Sequence, residues 1–374
     1  MRLRQSTRAM RAGRWRRAIV ALTGAALVAV LTLVVSGGGA SPAAGAAPPR
    51  SAATSPRLLL EGPGWRVQHA NEDRGREGIE GSIEFVTGKP IPYEAVKISG
   101  PNKHPRESGM LPAAVRQRRV ELDWRHENLK QTIAWIHGLP HPHGRKVVRL
   151  PVLNSTAYVD TRDEFYSNQG GPGNRQMIAL WEEGGLVFEL RAAVPDLAAF
   201  EERLGWLTEV DQGAWFAAMP ATVVIPSAHA AAVREMLKGI PTPRTFKPSR
   251  VPDEGLTTAR YQVGAKVTGV VTCLWFRQWG EAQRTGDTAA ETEAVRAMAT
   301  AKHWQVLHQM DPEGDYPEVL WELAREMPSG VWEWDGKVHP LLPKAEGLGC
   351  ANFGVPVLPS KMKAQRARGG PASS

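Results

Sequence analysis

The spacing of apolar side chains changes character several times along this chain. Ala18 to Ser36, AIVALTGAALVAVLTLVVS, carries no charge and is about long enough to cross a bilayer as a helix. Gly37 to Pro56 is built of small residues and proline without a large apolar side chain, so it cannot pack a core and reads as an extended tether. From Leu58 the period falls to two. Trp65, Val67 and His69 alternate with polar neighbours, as do Ile83 with Phe85, and then Val120, Leu122 and Trp124. Gly88 to Gln117, rich in proline and glycine, predicts a long surface loop between strands. Between His126 and His137 the period becomes helical, with Leu129, Ile133 and Ile136 on one face and Gly138 as terminator. Strand patterns return at Lys146 to Leu153 and around Tyr158. Arg175 to Ala192 predicts a hairpin through Glu182-Glu183-Gly184-Gly185. Asp196 is placed to cap a helix whose Leu197, Phe200, Leu204 and Leu207 share one face.

Beyond Pro226 the strand signal nearly vanishes. Helical runs cover Ala228–Lys238, Thr258–Gln283, Thr288–Met310 and Tyr316–Met327. Thr288 with Glu291, and Asp315 with Glu318, have capping-box spacing; Pro317 suits a first turn, and Gly286 and Gly314 sit at breaks. The expected fold class is α+β: a curved antiparallel sheet with one or two packed helices, followed by a small all-α helical bundle, behind an N-terminal transmembrane helix. The corresponding segments are a cytoplasmic Arg-rich tail (1–17), an anchor or signal peptide (18–36), a flexible linker (37–57), a sheet domain (58–220), a helical domain (221–358) and a disordered basic tail (359–374).

Charge decides the orientation and removes one class of partner. Seven arginines, Arg2 to Arg17, precede the apolar run with no acid among them, which places the N-terminus in the cytoplasm and the body outside. Ala44-Gly45-Ala46 fits a cleavage site, so a signal peptide is the rival reading. The run is longer than the usual h-region, which favours an uncleaved anchor, and both readings export the body. The net charge of +8 is more than supplied by those arginines and by Lys361, Lys363, Arg366 and Arg368, so the body between is slightly acidic. A nucleic-acid-binding domain would carry a basic patch on that body. Nucleic acid is therefore not an expected partner.

VVTCLWFRQW, Val270 to Trp279, sets one of two cysteines among aromatics. Lys266 and Arg277 leave no charge-free stretch of membrane length, so this is not a second span; Val263, Val267, Val270, Val271 and Leu274 instead describe a central core helix. Lone cysteine without a neighbouring ligand is a poor metal site. In an exported chain Cys273 and Cys350 are expected to form one disulfide, the alternative being two unrelated buried thiols. His137, His141 and His143, in HGLPHPHG, are metal candidates, but Gly138 and Pro140 break the helix that would align them, which favours a polar turn. In MDPEGDYPEVLWE, Gly314 arrives too early for a calcium loop, so a helix joint is the simpler reading. GxSxG, HExxH and paired CxxC are absent. No catalytic residue and no cofactor follow from the sequence.

WEEGGLVFEL, then Trp215 to Pro220 (WFAAMP), VTGVVTCLW, MDPEGDYPEVLWE and the late Gly349-Cys350 form an ordered series. It resembles a family of single-span exported proteins of high-GC Gram-positive bacteria whose genes often lie near those of extracytoplasmic-function sigma factors. The resemblance runs over about residues 58–352 and implies no activity. The hairpin and helix at 175–207 also look like the outer sensory or lipid-handling sheets of some anti-sigma factors and envelope lipoproteins. An anti-sigma factor itself would need a folded cytoplasmic domain, and the 17 residues before the span are too short to fold. The expected function is a membrane-anchored extracytoplasmic protein with a non-catalytic sensing, binding or accessory role. Its expected partners are the membrane through residues 18–36 and an envelope protein or lipid-like ligand. The alternative is an exported hydrolase with a non-local active site between the two domains.

Overall fold

This computed structural model describes residues 56–75, 77–91, 113–138, 146–163, 175–334 and 336–357. The expected span (18–36), nearly all of the linker and the basic tail lie outside them. Among the described residues no helix is long and apolar enough to cross a membrane.

Short alternating segments open the chain: β1 (Arg57–Leu60), β2 (Trp65–Arg74), β3 (Ile79–Thr87), one helical turn α1 (Ala113–Arg116), β4 (Arg119–Arg125) and then α2 (Leu129–Gly138). Four more strands follow, β5 (Lys146–Val152), β6 (Ser155–Asp163), β7 (Arg175–Glu183) and β8 (Leu186–Val194). Seven strands make one antiparallel sheet in the order β2-β3-β4-β8-β7-β6-β5. The class is thus α+β with a large antiparallel sheet and several helices, as expected.

Register explains the core. Trp124, Phe188 and Trp181 face one another on β4, β8 and β7, and Trp181 stacks on Phe188 with ring centroids 5.4 Å apart. Space for this aromatic row comes from Gly81, opposite Trp124, where a Cβ would stand 2.5 Å from both the Trp124 ring and the Asn71 carbonyl. Gly184 and Gly185 close the β7–β8 hairpin with φ of 59° and 80°, which only glycine adopts cheaply in such a two-residue turn. The inner face is covered by β1 paired with β9 (Leu207–Val210), by α3 (Leu197–Gly205) and by Trp215 on α4 (Gln212–Ala217). Asp196 and Asp211 cap those helices, each side chain accepting from a backbone N–H at 2.8 Å.

Two strand readings change. His69 does not continue the stripe of Val67, because a bulge between them sends it to the opposite face of the sheet. The extra residue, Gln68, is held there by the Ile91 backbone, donating to its carbonyl and accepting from its N–H at 2.9 Å. Leu207 is buried as expected, yet it belongs to β9, since the helix ends at Gly205.

Among the described residues the chain forms two compact units. One runs to His229 and takes back Asp253–Arg260; the other contains Ala230–Pro252 and continues from Tyr261. In the first, β10 (Val223–Val224) pairs with the returning β11 (Thr258–Ala259), while α5 (His229–Met236) belongs to the other unit from Ala230 onward. Buried Glu72 on β2 fixes that return: one carboxylate oxygen accepts from the Thr257 N–H at 2.9 Å and the other is engaged by Arg57. Arg57 in turn lies 4.6 Å over the Trp215 ring.

The second unit is built on α6 (Arg260–Thr285), with α7 (Thr288–Ala299), α8 (Gln305–Met310), α9 (Tyr316–Glu326) and α10 (Leu342–Glu346). Val263, Val267, Val270, Val271 and Leu274 of α6 are essentially inaccessible, the core-helix pattern expected from their spacing. The cap of α7 is Asp287, one residue before the Thr288 expected from sequence, and it accepts from the Ala290 N–H at 3.0 Å. Asp315 occupies the cap position of α9 without a side-chain cap bond. The run expected to be continuous over Thr288–Met310 breaks at a 3-10 turn before Trp304. A hairpin absent from the sequence reading, β12 (Val331–Trp334) with β13 (Lys337–Pro340), precedes α10.

Candidate binding face of the sheet

Inward positions leave alternate residues of every strand on the outer face, and the register aligns them in rows. One row reads His69, Glu84, Glu121, Arg191, Ile178, Asp160 and Val147 across all seven strands. The next reads Asn71, Ser82, Asp123, Glu189, Leu180, Tyr158 and Arg149. The β2–β3–β4–β8 side is therefore polar and charged. Toward β7 and β6 the face turns apolar, and Tyr158, Ile178, Leu180 and Val187 pack under Leu129 and Ile133 of α2. Asn128, just before α2, accepts from the Gln131 N–H through its side chain, and the buried Thr132 hydroxyl of α2 donates to Glu127.

The charged groups form linked pairs. Arg119 bridges Glu84, at 2.6 Å, and Glu121. Glu189 uses both oxygens, one for Arg125 and one for Arg191, each at 2.6 Å. Arg191 also lies 3.5 Å from Asp123, and Arg125 lies 3.3 Å from Glu127. Carboxylates outnumber guanidiniums in this set, so its acids compete for positive charge. Burial dominates at Asp123, whose pKa is pushed up to about 6 against the pull of Arg191. Burial likewise raises Glu84, with Arg119 opposing, and lowers His69, where the Arg119 charge adds to the effect. His69 is thus held toward its neutral form beside a carboxyl that favours protonation. Glu121 and Arg191 keep about a third of their side chains exposed, so the lattice is open to an incoming polar group. Chemically it can exchange internal ion pairs for contacts with a cationic or hydrogen-bonding partner.

Comparisons with known proteins leave this face without an assigned role. No family model matches the chain, and no curated protein matches it. A solved structure from Bacteroides thetaiotaomicron VPI-5482 covers 79% of this chain and 98% of its own, with 11% identity and a TM-score of 0.21. Likeness at that score carries no argument about fold or function.

Of the residues singled out from sequence, Cys273 and Cys350 come together as a disulfide with Cα atoms 5.4 Å apart, and both are fully buried. That separation lies inside the range a disulfide requires. His137 closes the last turn of α2, though its side chain lies outside the description, as do His141 and His143 entirely. Among the described residues no group of three or more His, Cys, Asp or Glu is arranged to hold a metal ion. The acidic run from Asp311 to Glu318 forms a 3-10 turn leading into α9, the helix joint expected. Sequence reading missed the charged face because its members are divided among strands far apart in sequence: Glu84 on β3, Arg119 to Arg125 on β4, and Glu189 with Arg191 on β8. Its one local signal was RVELDWR, where Arg119, Glu121, Asp123 and Arg125 alternate with the buried Val120, Leu122 and Trp124.

Proposed function

We propose that this is a membrane-anchored extracytoplasmic protein that binds a component of the envelope through the polar face of its sheet, without transforming it. Its export is supported above all by the Cys273–Cys350 disulfide, which joins the chain's only two cysteines in a fully buried position. Such a bond persists in an oxidising compartment and is rare in a reducing one. Arginines followed by an apolar run supply the anchor, and the small-residue linker holds the body off the membrane. Kinship with the single-span exported family of high-GC Gram-positive bacteria belongs to the same reading. The polar face supplies the binding surface because its charged groups are fixed by strands and by one another, which limits the ordering cost of recognition. A panel of esterase, peptidase and glycosidase substrates offered to the full chain should show no turnover. Turnover that disappears in Asp123→Asn or Glu121→Gln would establish an enzyme in place of a binding protein.

A further inference from the structure

Few large apolar side chains are exposed among the described residues, and two of them, Trp135 on α2 and Val147 on β5, belong to the outer face of the sheet. Trp135 is 66% exposed. α2 buries Leu129, Thr132 and Ile133 toward the sheet, so Lys130, Ala134 and Trp135 look outward. Val147 and the exposed Arg149 occupy the β5 ends of the two rows that run beneath this helix. α2 thus presents the exposed Lys130 and Trp135, and the β5 end of the sheet presents the exposed Val147 and Arg149. The acid at the start of the helix, Glu127, is already engaged by Arg125 and Thr132. On the β7–β8 turn side the same face carries the exposed Glu182.

We infer that α2 and the β5 edge form a contact surface for an anionic lipid headgroup layer. This rests on the anchored reading proposed above. The linker enters at β1, so the sheet unit is the one that follows the span directly. A small-residue linker of this length has a mean reach of roughly 25 Å, which keeps the bilayer at high effective concentration beside this unit. Tryptophan favours the headgroup level, where its ring is apolar and its N–H meets water, and nearby lysine and arginine favour anionic lipid. Weak individual contacts suffice under such tethering. The surface orients the polar half of the sheet, which lies beside α2, instead of leaving it to tumble on its linker.

The test uses the full chain reconstituted into vesicles of phosphatidylglycerol and phosphatidylcholine, or of phosphatidylcholine alone, each with brominated acyl chains. Flotation after alkaline extraction reads the anchor; the difference in tryptophan quenching between native protein and Trp135→Phe reads the contact. The expected result is flotation in both lipids, with Trp135-dependent quenching in the anionic vesicles reduced at least twofold in phosphatidylcholine and in Lys130→Glu/Arg149→Glu. Flotation without Trp135-dependent quenching overturns the contact and leaves the anchor standing. Failure to float overturns the anchor and the contact with it. A dimer lost in Trp135→Phe would assign the surface to a second copy of the chain and overturn the lipid assignment. Matched thermal unfolding of the variants, expected because the changed side chains are exposed, excludes misfolding as the cause.

Discussion

Replacing both cysteines by alanine removes a link between residues separated by 77 positions. In the chain-entropy description, opening a loop of that size costs about 4.5 kcal/mol at 25 °C. Both sulfurs are fully buried, so the truncated side chains also lose packing around α6 and the segment after α10. Covalent and packing losses act in the same direction. For a unit of this size the transition should fall by roughly 10–20 °C. Differential scanning calorimetry of the native protein and Cys273→Ala/Cys350→Ala reads this directly. Two-unit architecture sharpens the measurement, since the transition of the sheet unit should stay where it was. A loss under about 1 kcal/mol, or an equal fall in both transitions, would refute the assignment of the bond as the staple of the helical unit.

Glu72→Ala leaves the Arg57 cation without its carboxylate and the Thr257 N–H without its acceptor. The expected cost is about 3 kcal/mol by denaturant unfolding, and the double change Glu72→Ala/Arg57→Ala should cost less than the sum of the two single changes; strict additivity would contradict the linkage. Gly81→Ala should cost about 1–3 kcal/mol, because the new methyl group meets a backbone carbonyl and the Trp124 ring at 2.5 Å; an unchanged midpoint would refute the close approach. Asp123 carries a pH signature. Its folded pKa, about 6, lies above the ordinary value of 3.8, so between those values the folded state holds a proton that the unfolded state has released. Stability contributed by this group must therefore fall as pH rises through that window and level off above it. Asp123→Asn should remove on the order of 2 kcal/mol of that decline, and parallel pH profiles for the two proteins would contradict it.

Elements whose burial is periodic were legible from their residues. β4 was readable from Val120, Leu122 and Trp124, α6 from its valines, and the β7–β8 hairpin from its paired glycines. His69 was misplaced because a bulge depends on what holds Gln68, and Ile91 and Thr222, which bond it, are remote in sequence. β11 escaped for a related reason. Thr258 and Ala259 look like the start of a helix, and only their pairing with Val223 and Val224 makes them a strand. The β12–β13 hairpin packs Trp332 against His339 and under the Lys344 ammonium, 4.8 Å away, contacts that no local period announces. The polar face was legible only as alternation. Which acid meets which guanidinium is set by the order of strands, and that order follows from long-range pairing of β4 with β8.

Export of the body is the claim on which the account turns, and topology tests it most directly. Alkaline phosphatase, which requires an oxidising compartment to mature, fused after Ser374 should be active in growing cells, while a cytoplasmic reporter at the same position should be silent. An active cytoplasmic reporter with inactive phosphatase would place the sheet, its polar face and Cys273–Cys350 on the wrong side of the membrane and contradict the account.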